Sequence, residues 1–193
     1  TAARTMGHEC AGEIIHAGAF AKEKGWKVGD RITVAPAVGC GECVPCKKGH
    51  TNMCDHLKTI GFQYEGVFAP YVEIPKQAIL MNNVIRLDDS ISYDDATLIE
   101  PAACALNGQS YLHIGEGDTV VIYGSGIIGC IHAELAFIKG ASKVIIVEPV
   151  EKRGHIAMEK VPGVIWINPN TQNTAEEVKK LTDGNGADVV ITA

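Results

Sequence analysis

The chain has 193 residues, 46% of them hydrophobic and 21% charged, an ordinary globular composition that excludes a disordered or collagen-like protein. No apolar run approaches the roughly 18–20 residues that cross a bilayer. Its 23 acidic and 17 basic residues give a net charge of −6, which leaves no basic footprint for nucleic acid. Thr1 is no initiator methionine and the last apolar run stops at Ala193 without a cap, so the sequence reads as an internal piece of a longer protein.

The first half reads as β-rich. Residues 12–18, 30–36 and 68–75 are short runs of β-branched and aromatic residues, punctuated by Gly, Pro and Asp. Between the last two lies a Cys-rich loop, 38–60, with no hydrophobic period. The pattern then changes. Residues 93–112 are helical in character and interrupted by Pro101, and 119–124 form a continuous apolar strand. In the helix that follows, Ile127, Ile128, Ile131, Leu135 and Ile138 fall at helix-face spacing. Further strands are expected at 143–149, 164–168 and 187–193. A helix from Thr174 carries a capping box, Thr174 with Glu177, and ends at Gly184. Strand–helix–strand alternation requires a parallel sheet with right-handed crossovers. The expected class is therefore α/β, with a β-rich domain over 1–91 and a doubly wound parallel sheet over 92–193.

The strand at 119–123 runs into Gly124-Ser125-Gly126-Ile127-Ile128-Gly129, where a helix begins. Alone, G-x-G-x-x-G is a weak signal. Here a strand precedes it, a helix follows, and a second strand comes next. In that setting Gly124 permits the tight turn, Gly126 lets the backbone approach a pyrophosphate, and Gly129 brings the helix onto the sheet. The phosphates would lie at the helix N-terminus, whose free N–H groups favour anions. Glu148 lies 19 residues beyond Gly129 at a strand end, where an acid binds the ribose hydroxyls of NAD and repels the 2′-phosphate of NADP. Arg153, five residues on, softens that preference.

Four of the seven cysteines form Cys40-x2-Cys43-x2-Cys46-x7-Cys54. Four thiolates close a tetrahedron around Zn2+ and leave no open position, so this site is expected to be structural. A loop without a core takes its folding energy from such a metal. C-x2-C-x2-C also opens an iron–sulfur pattern, but that pattern continues x3-Cys-Pro, whereas here the spacing is x7 and Asp55 follows. Cys10, Cys104 and Cys130 are read as small buried hydrophobes. Two further signals are individually weak: His8 beside Glu9 ahead of a β run, and Glu100-Pro101 at the start of a helix.

In sequence, GHExxGE, xVGDRI, the four-Cys loop, Glu-Pro and GxGxxG resemble the zinc-dependent medium-chain dehydrogenases, most closely the polyol type such as sorbitol, xylitol or butanediol dehydrogenases. The resemblance implies a GroES-like β-domain with a catalytic zinc and a Rossmann domain for NAD, both partial here. By position, His8 resembles a zinc ligand and Glu9 its neighbour close to the metal. Glu100 stands where alcohol-type members place a Cys and polyol-like ones an acid. Cys40, Cys43, Cys46 and Cys54 match a structural-zinc lobe. Gly124, Gly126, Ile127, Ile128, Gly129, Glu148 and Arg153 match the cofactor site. The family's first catalytic ligand, a Cys, and its proton relay precede the motif at His8 and have no counterpart in this sequence. Hydride transfer from a zinc-held secondary alcohol or polyol to NAD is implied, in a cytoplasmic homo-oligomer without nucleic-acid or membrane partners. The alternatives are a noncatalytic nucleotide-binding member of the same fold and an iron–sulfur protein.

Overall fold

The computed structural model describes residues 4–193, which fall into two compact units, one ending at Glu100 and the other beginning at Pro101. In the first, the chain runs through β1 (Ala11–Glu13), α1 (Ala19–Glu23), β2 (Arg31–Val34), β3 (Ala37–Val38), α2 (Val44–Lys47), a 3-10 turn (Thr51–Met53), β4 (Lys58–Thr59), α3 (Lys76–Leu80), β5 (Val84–Arg86) and α4 (Tyr93–Ala96). β1 and β5 both pair antiparallel with β2, and β3 pairs antiparallel with β4. Ile32, Val34 and Ile60 form the buried centre, packed by Cys10, Trp26, Val67 and Val84. Asn83 staples the strands from the side: its Nδ2 donates to the carbonyls of Ala35 (2.8 Å) and Ala37 (2.9 Å).

Three sequence expectations change here. The strand expected over 12–18 stops at Glu13, because Ile14 N–H reaches the Asp30 carbonyl and Gly29 N–H returns to Ile14, closing the ladder into a turn. The run 68–75 forms no strand. Pro70 and Pro75 lack the N–H groups a ladder needs, and β5 takes the edge of β2 instead. The loop 38–60 is more ordered than its lack of period suggests: it contains α2, with Cys43 at the N-cap position and Pro45 in the first turn.

The second unit begins inside α5 (Ile99–Gln109) and continues through β6 (Thr119–Tyr123), α6 (Ile127–Ile138), β7 (Lys143–Val147), α7 (Glu151–Lys160), β8 (Ile165–Ile167), α8 (Thr174–Leu181) and β9 (Val189–Thr192). The four strands are parallel, in the order β8-β7-β6-β9. Both faces are covered, which explains the unbroken apolar runs. Val120, Ile122, Val144 and Ile146 pack with Ala133, Ala136 and Ala157 on one face. Val121, Ile145, Val147 and Ile167 pack with Val178 on the other. Strand order reverses between β6 and β9, and the crevice beside the carboxyl end of β6 is where doubly wound sheets bind ligands.

α6 buries a different face from the one its isoleucines suggest. Gly129, His132, Ala133 and Ala136 are buried, while Ile127 and Ile138 are exposed. Small residues let the helix axis approach the sheet, and that closeness outweighs hydrophobic spacing. The cap of α8 is shifted by one residue. Asn173 is the N-cap, and its side chain accepts from Glu176 N–H. Cys104 is exposed on α5, while Cys10 and Cys130 are partly buried.

Candidate functional site

The Sγ atoms of Cys40, Cys43, Cys46 and Cys54 all lie within 4.8 Å of one another, and those of Cys43 and Cys54 are 3.8 Å apart. Sulfurs about 2.3 Å from a tetrahedral zinc are spaced about 3.8 Å from each other, so the donor set fits one zinc ion; the several irons of a cluster would spread the sulfurs wider. Backbone donors already face the sulfurs. Cys40 N–H and His56 N–H each point to Cys54 Sγ at 3.2 Å, and Glu42 and Cys43 N–H point to Cys40 Sγ at 3.4 Å. The Glu42 and Cys43 donors bring the Cys40 thiol down to about 6, whereas burial pushes Cys46 up to about 12. Four adjacent sulfurs cannot all ionise without a cation among them, and all seven cysteines are unbridged.

A second donor set forms where His8, Glu9 and Glu100 meet, their ligand atoms within 4.8 Å of one another. Glu9 is exposed and the other two are half-buried. The segment carrying His8 lies outside any strand and is held by backbone. Gly66 N–H donates to Thr5 O at 2.8 Å, Phe68 N–H to Met6 O at 2.9 Å, and Val67 N–H to Gly7 O at 3.1 Å. A Cβ on Gly66 would overlap the Met6 carbonyl, so only glycine permits this approach. The His8 ring lies 6.0 Å from that of Phe62, tilted at 43°. Thr33 Oγ1 donates to Cys10 O at 2.8 Å and fixes the other end of the segment. Glu100 stands in the first turn of α5, where the helix dipole favours an acid.

In the second unit, Gly124 leaves β6 with φ at 103° and Gly126 is the N-cap of α6. A Cβ on Gly129 would collide with the carbonyl of Gly124; its absence lets the helix N-terminus close on the turn. Ile127 is exposed and Ile128 half-buried in the first turn of the helix. Glu148 sits at the end of β7, nearly fully buried. Its Oε2 accepts from Ser125 N–H at 3.0 Å and from Ser125 Oγ at 2.9 Å, and its Oε1 accepts from Val150 N–H at 2.9 Å. Arg153 Nε lies 3.6 Å from Oε2. Burial pushes the Glu148 carboxyl up, but the Val150 and Ser125 donors and Arg153 together outweigh it and hold it below the usual carboxylate range.

The expected residues thus gather into three groups: four cysteines, one histidine with two acids, and a glycine turn with Glu148 and Arg153. Sequence reasoning missed Ser125 and the strap 61–68. The x of G-x-G carries no signal of its own, and the strap's glycines pack against backbone distant in sequence.

One unit thus carries two sets of metal-type donors, and the other a glycine turn at the carboxyl end of a parallel-sheet strand. Residues 1–83 match the alcohol dehydrogenase GroES-like domain family. The chain is 37% identical over 186 residues to L-threonine 3-dehydrogenase of Pyrococcus furiosus, covering 96% of this chain and 51% of that protein. It is 33% identical over 187 residues to sorbitol dehydrogenase of Bacillus subtilis, covering 95% and 50%. A Sinorhizobium meliloti protein described as a zinc-binding dehydrogenase, solved bound to NADP, superposes with a TM-score of 0.88 at 31% identity, over 100% of this chain and 55% of that one. Residues 1–83 thus carry the alcohol dehydrogenase GroES-like domain, and nearly the whole chain is similar to proteins described as alcohol and polyol dehydrogenases. The chain spans about half the length of the curated relatives it matches. Among the described residues no helix is long and apolar enough to cross a membrane.

Proposed function

We propose that this chain forms the metal-binding and nucleotide-binding parts of an enzyme that oxidises a secondary alcohol or polyol to a ketone or aldehyde, with NAD as hydride acceptor. The observation that carries the reading is the convergence of His8, Glu9 and Glu100 within 4.8 Å, although Glu100 lies 91 residues beyond Glu9. His8, Glu9 and Glu100 hold the catalytic zinc, and Cys40, Cys43, Cys46 and Cys54 hold the structural one. When bound, the zinc supplies a Lewis acid that lowers the pKa of an alcohol, and the dinucleotide supplies the hydride acceptor.

The chain's own residues bind and orient. Two carboxylates and an imidazole make a harder donor set than thiolates, which suits polyhydroxy and secondary-alcohol substrates. The N–H groups of the first turn of α6 receive the pyrophosphate, beside the Arg153 guanidinium that lies over Gly126. Ile127 and Ile128 occupy that turn, Glu148 accepts from the adenosine ribose, and Arg153 lies beside it. The unbridged thiols suit the reducing cytoplasm.

The test is NADH formation at 340 nm by the whole protein, with a panel of sorbitol, other polyols, secondary alcohols and L-threonine. Substrate-dependent reduction of NAD, lowered at least about 100-fold in kcat/KM by His8→Ala and by Glu100→Ala, is expected. Dinucleotide binding without turnover on any member of the panel would favour a noncatalytic nucleotide-binding protein. Absorption near 400 nm would favour an iron–sulfur one.

A further inference from the structure

The acid that should receive the ribose is already in use. Ser125 donates to Glu148 Oε2 twice, from its N–H (3.0 Å) and its Oγ (2.9 Å). Val150 N–H donates to Oε1 at 2.9 Å, and Arg153 Nε closes the remaining side at 3.6 Å from Oε2. The Glu148 side chain keeps only 4% of its surface exposed, and Ser125 is buried with it. An ionised carboxylate offers about four acceptor positions, and three hydrogen bonds and an ion pair leave little room for two ribose hydroxyls. Arg153 also covers the turn itself: its Nη2 lies 3.0 Å from where a Cβ on Gly126 would stand.

These four donors differ in how easily they yield. The Ser125 and Val150 N–H groups are fixed by the backbone of the turn and of the entry to α7. The Ser125 hydroxyl needs only a side-chain rotation to let go, and the Arg153 side chain is half-exposed. Resting on the dinucleotide reading above, we propose that the Ser125 hydroxyl is an internal competitor for the ribose site: it occupies Glu148 Oε2 in the free protein and is exchanged for a ribose hydroxyl when the dinucleotide binds. Ser125 is then a positioning residue with a cost attached. It pre-orients the carboxylate and satisfies it while the site is free, and its donor must be given up on binding. The exchange balances: one O–H donor leaves Oε2 and another takes its place, and no proton changes hands.

The exchange gives a sign that an ordinary supporting role does not. Removing a group that merely supports the site weakens binding, whereas removing an internal competitor tightens it. A hydrogen bond to a charged acceptor is among the stronger ones, so Ser125→Ala is expected to tighten binding by about 3- to 10-fold. Ser125→Cys, whose thiol is a weak donor of similar size, is expected to shift affinity in the same direction by less. The measurement is calorimetric titration with ADP-ribose and with NAD, each against the analogue lacking the adenosine 2′-hydroxyl, on protein checked for folding by circular dichroism. The gain in Ser125→Ala is expected with the full ribose, smaller with the deoxy analogue, and absent in a Glu148→Gln background, where affinity itself falls at least about 10-fold. Unchanged or weakened binding of ADP-ribose by folded Ser125→Ala and Ser125→Cys overturns the exchange while leaving the dinucleotide reading intact. Failure of the unaltered protein to bind ADP-ribose, NAD or NADP overturns both.

Discussion

Two helical glycines allow the phosphate-turn reading to be tested against a built-in control. A Cβ at Gly129 would stand 2.9 Å from the carbonyl carbon of Gly124 and closer still to its oxygen. These are backbone atoms that no rotamer change can move aside, so Gly129→Ala forces the first turn of α6 away from the strand end. Overpacking of this kind costs about 1–3 kcal/mol, while replacing glycine by alanine in a helix returns about 1 kcal/mol. The net loss is about 0–2 kcal/mol. Gly108, on α5, gains the same propensity without the collision, since its Cβ would meet only His132 Cε1 at 3.9 Å. Gly108→Ala should therefore raise stability by about 0.5–1 kcal/mol. Chemical denaturation of both variants, followed by calorimetric titration with ADP-ribose, separates the two effects. Displaced N–H groups at the α6 terminus should lower ADP-ribose affinity about 10- to 100-fold in Gly129→Ala, about 1.4–2.7 kcal/mol, and leave Gly108→Ala unchanged. If Gly129→Ala were as stable as Gly108→Ala and bound ADP-ribose like the unaltered protein, the close approach of helix and turn would not be what builds the site.

Cys54→Ser removes a sulfur that is buried, accepts from two backbone N–H groups and stands 3.8 Å from Cys43 Sγ. The variant is expected to lose one zinc equivalent per chain by elemental analysis and to become protease-sensitive within residues 38–60, as should the unaltered protein after prolonged chelation. Glu148 gives a pH dependence of defined sign. Its carboxyl is held below the usual carboxylate range, chiefly by the Val150 and Ser125 donors working against burial. Its contribution is complete above the unfolded value of about 4.3 and is lost as pH falls through the lower folded value. Denaturation midpoints measured from pH 7 down to pH 3 should fall more steeply for the unaltered protein than for Glu148→Gln.

Much of the second unit is legible in the sequence because parallel strands covered on both faces must be continuously apolar. The runs at 119–124 and 143–149 mark β6 and β7 to within a residue or two. The four-cysteine spacing is equally direct, since the ligands lie close in sequence and short turns bring them together. Residues 12–18 and 68–75 mislead because strand propensity does not supply a partner, and Pro70 and Pro75 remove donors a ladder would use. The isoleucines of α6 mislead because sheet proximity selects glycine and alanine for the buried face. The meeting of His8 and Glu9 with Glu100 has no local signal at all. It depends on a backbone strap from 61–68 and on where α5 begins, and only the order of motifs along the whole chain points to it. The engagement of Glu148 by Ser125 is likewise silent in the motif, which specifies the glycines and leaves the residue between them open.

Locating zinc in crystals of the whole protein by anomalous scattering on either side of its absorption edge tests the two metal positions most directly. Two peaks are predicted, one enclosed by Cys40, Cys43, Cys46 and Cys54, the other against His8, Glu9 and Glu100, with the second missing in crystals of His8→Ala. A peak at the cysteines alone in zinc-replete crystals, with the His8 side chain turned from Glu100, would contradict the assignment of a catalytic metal site to these residues.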